Sequence, residues 1–284
     1  MMWTALAPAK VNRELRVGRI RPDGYHEIRS RMVSIDLADR LSAEHGQGLE
    51  FSCDDPAVPS GSENLVVRAA QLLAQDAGIA PRARLTLEKR VPMGGGLGGG
   101  SSNAAVALLL LDRLWSLDTP VDRLRSVAAR LGSDVPFFLT GGEADVSGRG
   151  EIVTPVEERP AADLLLFVPP FSISTADVYR LYAGRGTLPE QLEISSGGWS
   201  RFLGPNDLAS AVLLTEPRME AFYKAAAAIT DDWAVSGSGS TIAMHGVRPV
   251  AVERLVGLGL NARVLPCRTL THREYRARVT PTEV

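Results

Sequence analysis

Eleven residues, Pro92-Met93-Gly94-Gly95-Gly96-Leu97-Gly98-Gly99-Gly100-Ser101-Ser102, include six glycines and end on two serines. Glycine lets the backbone approach a ligand closely and take up positive φ. The alternating run Arg84-Leu85-Thr86-Leu87-Glu88 before it reads as a strand, and Asn103 to Leu111 after it as a buried helix. A strand, a glycine run and the first turn of a helix make an anion site, because the opening helical N–H groups lack intrahelical acceptors and sit at the positive end of the dipole. Phosphate is the expected guest. A flexible linker would separate independent segments in polar company, which is not the setting here.

Two further residues carry charge where the pattern is otherwise apolar. Asp134 follows a Gly132-Ser133 turn and precedes Val135-Pro136-Phe137-Phe138, which sets its carboxylate at the edge of a core. Such an aspartate could accept the proton of a hydroxyl undergoing phosphorylation; it could equally cap a helix or a turn. Lys10 interrupts an apolar N-terminal segment, and Asn12 shares its face if that segment is a strand. A solvated lysine is the common case. The other reading pairs its ammonium with Asp134 and a transferring phosphoryl group, which would hold the aspartate ionised.

The elements that must position these groups follow from patterning. Residues 3 to 20 contain Pro8 and Gly18 and read as two short strands with a turn, and Pro22-Asp23-Gly24 is a second turn. Arg31 to Leu37 alternates as a strand, and Leu41–His45 with Leu49–Cys53 reads as a hairpin around Gly46-Gln47-Gly48. Asn64 to Gly78 has a cap, helical spacing and a glycine stop, and Val121 to Leu131 is a helix between Pro120 and Gly132. A composition shift at Glu157-Glu158-Arg159-Pro160 suggests lobes of residues 1–158 and 159–284. In the second half, Asp163–Val168 reads as a strand, Thr175–Tyr182 as a helix and Gly184–Gly204 as a loop. Asn206 is expected to cap a helix, and the charged last dozen residues are expected to fray. Strands and helices without strict alternation indicate an α+β fold in two lobes.

Composition excludes several classes. A hydrophobic content of 45% gives a chain of 284 residues enough core for a globular protein, and a net charge of -2 gives no field to recruit nucleic acid. Cys53 and Cys267 are far apart, which argues against a zinc site or a disulfide scaffold and fits a reducing cytoplasm. Met1 to Lys10 lacks a basic stretch followed by an apolar one, and the apolar run Ala104–Leu111 is too short to span a bilayer, so no membrane partner is expected.

Known glycine loops can be tested in turn. The P-loop ends Gly-Lys-Ser/Thr, and this run ends Gly-Ser-Ser. The protein-kinase loop requires His-Arg-Asp and Asp-Phe-Gly, and neither occurs. Gly94, Gly96 and Gly99 satisfy the dinucleotide pattern formally, but a helix follows where that fold needs a strand with an acidic end about 20 residues on.

What remains is a resemblance. Pro92 to Ser102 followed by Asn103-Ala104-Ala105 resembles the second motif of the GHMP small-molecule kinases, Pro8-Ala9-Lys10-Val11-Asn12 the first, and Ser236-Gly237-Ser238-Gly239-Ser240 the third. Arg21-Pro22-Asp23-Gly24-Tyr25-His26-Glu27, Leu131 to Phe138, Gly148-Arg149-Gly150-Glu151 and Asn206-Asp207-Leu208 resemble one branch of that family. Its acceptor is a tertiary hydroxyl on a cytidine-diphosphate-linked polyol, in a route to isoprenoids. The matches run in order from residue 8 to about residue 245.

The resemblance implies a ribosomal-S5-like N-terminal lobe, a ferredoxin-like C-terminal lobe and an active site in the cleft between them. It implies ATP held by Pro92 to Ser102, with Mg²⁺ arriving on the nucleotide, and Asn64, Leu65 and Lys89 lining the adenine pocket. Lys10 and Asp134 become the catalytic pair, and Asn12 orients the acceptor. Tyr25 stacks on cytosine, His26 bonds its edge and Tyr179 covers its other side. The metal ligands are not indicated, although Ser101 or Ser102 could touch Mg²⁺. The protein is expected to be a cytoplasmic monomer or homodimer with a small-molecule substrate. Another GHMP kinase, a catalytically silent relative and an RNA-binding S5-like protein stand as alternatives. One departure is plain: the family's first motif continues with apolar residues, and here Arg13-Glu14 follows, either with one side chain turned inward or with both paired at an edge.

Overall fold

β1 (Met2–Ile20) is one strand of 19 residues, not the two short strands that Pro8 and Gly18 suggest. It bends instead of breaking. In the computed structural model, which describes residues 1–157, 159–184, 201–248 and 250–284, its register against β2 (His26–Glu44) shifts at three places. These lie between Pro8 and Lys10, Asn12 and Glu14, and Val17 and Ile20. Bulges of this kind kink a strand and accommodate proline. From Ala7 to Leu15 every residue is buried, so the strand shows no clean alternation by which to recognise it.

β3 (Leu49–Cys53) does not fold back along β2 as a hairpin. The chain passes through α1 (Leu65–Ala77), and β4 (Ala83–Glu88) inserts between the two strands, antiparallel to β2 and parallel to β3. Over Arg40–Glu44 both edges of β2 are then taken, by β1 and by β4, which leaves β3 only the outer edge of β4. α1 is capped as the sequence indicates: the Asn64 side chain accepts from the Val66 N–H, and Gly78 closes the helix in the left-handed conformation. Next come α2 (Gly99–Leu114), α3 (Val121–Leu131), the short α4 (Val135–Thr140), β5 (Glu143–Gly148) and β6 (Ile152–Pro155). α2 is buried almost all round, because it packs on α1, β1 and β2 together.

The second lobe holds β7 (Asp163–Val168), α5 (Thr175–Ala183), α6 (Ala209–Thr215), α7 (Met219–Ala227), β8 (Trp233–Val235), β9 (Ile242–His245), α8 (Val250–Val256) and β10 (Arg263–Arg268). Its sheet order, β10-β7-β9-β8, is antiparallel throughout and is that of a ferredoxin-like lobe. Most of the loop predicted for Gly184–Gly204 lies outside the described residues.

The C-terminus does not fray. α9 (His272–Val279) opens with a capping box between Thr271 and Glu274, and β11 (Thr282–Glu283) pairs with Trp3 and Thr4 of β1. Tyr275 is fully buried in the first lobe's core, and its hydroxyl donates to the Phe138 carbonyl of α4 at 2.6 Å. A charged composition hid one anchoring aromatic. Among the described residues, no helix is long and apolar enough to cross a membrane.

Candidate active site

The glycine run passes from β4 into α2, and side chains would close it. Gly98, at φ 70°, is the residue from which α2 starts. A Cβ there would lie 2.8 Å from the Phe138 ring and 3.1 Å from Lys10 Cγ, so only glycine fits. The first intrahelical bond runs from Ser102 N to Gly98 O at 2.9 Å, which leaves the amides of Gly99, Gly100 and Ser101 without intrahelical acceptors. The run is fixed to β1 by Lys10 N donating to Leu97 O at 3.0 Å and by Ser102 Oγ donating to Pro8 O at 2.7 Å. The 236–240 glycine turn of the second lobe closes over it: Ser236 Oγ donates to Gly96 O at 2.9 Å, and Thr241 N donates to Gly95 O at 3.2 Å.

Below this junction β1 presents Lys10 and Asn12. Lys10 is buried, donates to Asn12 Oδ1 at 2.6 Å, and lies 3.7 Å from Asp134 Oδ2. Burial pushes the Lys10 ammonium below the ordinary lysine range, and the charge of Asp134 opposes that shift. The Asn12 amide is itself oriented, donating to Ser30 Oγ at 2.7 Å, while Ser30 Oγ donates to Glu14 O at 2.6 Å. Asp134 immediately precedes α4, at the capping position, yet its side chain makes no capping hydrogen bond. The carboxylate therefore faces Lys10 instead of stitching its own helix.

One cleft of about 1090 Å³ joins these groups. It is lined by Lys10, Asn12 and Asp134, by Pro92 to Ser101, by Asn64, Leu65 and Lys89, and by Tyr25, His26 and Tyr179. Every residue singled out from the sequence thus meets in one place except Ser102. That side chain lies beneath the loop, spent on Pro8, and does not reach the cleft. Two of the residues expected to line an adenine pocket are already engaged. Lys89 Nζ holds Asp39 Oδ2 at 2.8 Å and the Val91 carbonyl, and Asn64 Nδ2 donates to Pro59 O at 2.6 Å while its oxygen caps α1.

At the far end of the cleft His26 Nδ1 lies 2.8 Å from Gly18 O. A carbonyl only accepts, so Nδ1 carries a proton, and in the neutral ring Nε2 is the acceptor. The His26 ring sits 5.4 Å from the Tyr179 ring, and burial with the nearby Asp134 charge raises the Tyr179 phenol, which stays a donor. Tyr25 is half exposed, with the Arg149 guanidinium 5.0 Å over its ring.

Patterning did not mark three of the cleft residues. Arg149 sits in a quoted motif without a role. Ser238 meets Thr175 at 2.7 Å across the second lobe's rim. Asn103 has a buried amide oxygen that finds no partner among the described residues, and its place directly after Ser101-Ser102 was the available signal. Asn206 does more than the expected capping. Its Oδ1 accepts from Leu208 N at 2.9 Å just ahead of α6, as a cap does, and its Nδ2 also donates to Val235 O at 2.8 Å and Gly237 O at 2.7 Å, holding the glycine turn. Among the described residues, no group of three or more histidine, cysteine or acidic side chains forms a metal cage.

Known proteins resemble the chain over most of its length. Residues 64–142 match the family described as GHMP kinases N terminal domain. The chain is 38% identical over 268 residues to the 4-diphosphocytidyl-2-C-methyl-D-erythritol kinase of Salinispora arenicola (strain CNS-205), covering 88% of this chain and 85% of that one. It is 39% identical over 252 residues to the enzyme of that name from Salinibacter ruber (strain DSM 13855 / M31), covering 85% and 88%. A crystal structure of 4-(cytidine 5'-diphospho)-2C-methyl-D-erythritol kinase superposes with a TM-score of 0.73 at 33% identity, over 94% of this chain and 98% of that one. A mevalonate kinase structure at 12% identity and a TM-score of 0.67 shares the fold alone. The buried lysine beside an aspartate, the glycine loop and the similarity over most of the chain converge: the chain belongs to the 4-diphosphocytidyl-2-C-methyl-D-erythritol kinase family of GHMP kinases.

Proposed function

We propose that this ATP-dependent kinase phosphorylates the 2-hydroxyl of 4-diphosphocytidyl-2-C-methyl-D-erythritol, on the non-mevalonate route to isoprenoid precursors, with Asp134 accepting the hydroxyl proton. The observation that carries the reading is the Lys10–Asp134 pair at 3.7 Å beneath the glycine run, in the same cleft as Tyr25 and His26. Phosphoryl transfer asks for position, charge neutralisation and an oriented nucleophile. The free amides of Gly99, Gly100 and Ser101 face the donor phosphates. Lys10, fixed by Asn12, neutralises charge on the moving phosphoryl group. Asp134 takes the proton as the acceptor oxygen attacks phosphorus and the bond to ADP breaks.

His26 Nε2 accepts from the exocyclic amine of cytosine, while Tyr25 and Tyr179 flank the ring. Mg²⁺ would arrive on the nucleotide; the Ser101 hydroxyl lines the same cleft and could touch it, and the ion would spread the phosphates' negative charge while keeping most of its water. The same proposal puts the lobe boundary at residues 158–159 and the enzyme in the cytoplasm.

Purified protein with ATP, Mg²⁺ and this substrate is expected to release ADP. Asp134→Asn should lower kcat by about 10²–10⁴-fold while an ATP analogue still binds. Near-normal turnover by that variant would sink the mechanism.

A further inference from the structure

Arg13 breaks the apolar pattern that the first motif otherwise leads to, and the structure buries it. Arg13 is 3% exposed and pairs through Nη1 with Glu143, itself 6% exposed. Its Nε donates to the Phe202 carbonyl at 2.9 Å, and its guanidinium lies 4.0 Å over the Phe202 ring. Three main-chain bonds run beside it: Gly204 N to Arg13 O at 2.6 Å, Leu15 N to Pro205 O at 3.0 Å, and Asp207 N to Leu15 O at 2.9 Å. Residues 202–207 of the second lobe are therefore laid along β1 of the first.

That segment leads back to the chemistry. Asn206 within it holds the main chain of Val235 and Gly237. The glycine turn so held touches the Gly95-Gly96 carbonyls, and a Cβ on Gly237 would lie 3.4 Å from both Lys10 Nζ and Asn12 Oδ1. Phe202 is braced on its other side by Asp232, which accepts from Phe202 N at 2.6 Å. A set of contacts thus runs from the Arg13 fork to the glycine turn that lies beside the Lys10 ammonium.

A buried ion pair is weak evidence for stability, because apolar side chains of similar volume often replace it at no cost or with a gain. Its use must lie in what the fork does geometrically. A planar guanidinium binds a carboxylate, a carbonyl and an aromatic face at fixed mutual angles, which no aliphatic side chain reproduces. We propose that Arg13 is a positioning residue: with Glu143 it pins residues 202–207 to β1 and so sets how closely the 236–240 glycine turn approaches Lys10. The inference rests on the kinase reading above for its kinetic consequence.

The test is the double variant R13M/E143M, which removes both charges and leaves neither unpaired, with R13K beside it. The double variant is expected to melt no lower than the parent and to bind an ATP analogue within about twofold, with kcat down about tenfold. Amide exchange across residues 235–241 should quicken about tenfold in the same protein. R13K keeps the charge without the fork and should give an intermediate kcat. Parental kcat in the double variant overturns the proposal, as does a kcat loss that comes with a lowered melting temperature. Should the parent fail to phosphorylate the cytidine substrate, the functional reading falls, and unchanged exchange at 235–241 would still overturn the pinning by itself.

Discussion

Gly96→Ala tests the junction between the two glycine segments. At Gly96 φ is 73°, and an added Cβ would lie 2.0 Å from Ser236 O and 3.0 Å from Gly239 O. An ordinary carbon–oxygen approach is about 3.3 Å, so the methyl must push the 236–240 turn away by roughly 1.3 Å. Both obstacles are main chain and cannot rotate aside. The left-handed backbone adds about 1–2 kcal/mol of strain for a residue with a Cβ. The Ser236 bond to Gly96 O, worth about 1 kcal/mol, is stretched out. A misplacement near 1 Å at a reacting centre costs about 10²-fold in rate, or about 2.7 kcal/mol of activation energy. Gly78→Ala separates the contributions, since Gly78 has φ 68° at the end of α1 and nothing within 4 Å of its Cβ position. That control should lose about 1–2 kcal/mol of stability and no turnover. The assay is coupled ADP release together with urea denaturation of both variants. If Gly96→Ala turns over within threefold of Gly78→Ala, the two-segment junction does not shape the site and the reasoning is refuted.

Lys10→Met should abolish turnover yet melt above the parent at neutral pH. Burial lowers the Lys10 pKa in the folded state, so between that value and the unfolded value near about 10.4 the unfolded chain holds the extra proton and stability rises with pH. The variant should lose that rise, and the parent's kcat should fall on an alkaline limb below about 10.4. A Lys10→Met protein that melts below the parent would refute the account. Tyr275→Phe should cost about 1–2 kcal/mol in urea denaturation, because the Phe138 carbonyl is left buried without its donor; an unchanged midpoint would show that the C-terminal helix is not anchored there.

The parts of the site that were legible in the sequence are those made by local backbone. A glycine run between a strand and a helix specifies free amides whatever surrounds it. Asp134 was ambiguous because a residue ahead of an apolar helix has two uses; the structure shows no capping bond and places Lys10 at 3.7 Å, which removes the capping use. What patterning could not show depends on neighbours distant in sequence. β1 is covered on both faces, which removes the alternation that would have revealed its length. β3 pairs across a helical crossing because β2 has no free edge at that level. Asn206 accepts from Leu208 N as a cap would, and the second use of its side chain, Nδ2 on carbonyls of the glycine turn, depends on residues 29 and 31 positions away. Of the two readings of Arg13-Glu14, burial of both side chains decides that neither is an edge pair, and the partner of Arg13 lies at Glu143.

Glycine does two jobs here that pull in one direction. In the first lobe it leaves helix-opening amides bare; in the same stretch, at Gly96, it lets the second lobe's main chain pack close and the Ser236 hydroxyl bond to the loop. The donor site and the distance between lobes are thus set by neighbouring residues of a single loop. A side chain added to tune one would disturb the other, so adjustment of the acceptor end must come from elsewhere on the seam. Arg13, Asn206 and Asp207 occupy that seam, away from the phosphates and joined to Lys10 through one turn. Substitutions there should change the placing of the acceptor while leaving nucleotide affinity alone, whereas substitutions in the loop should change both together.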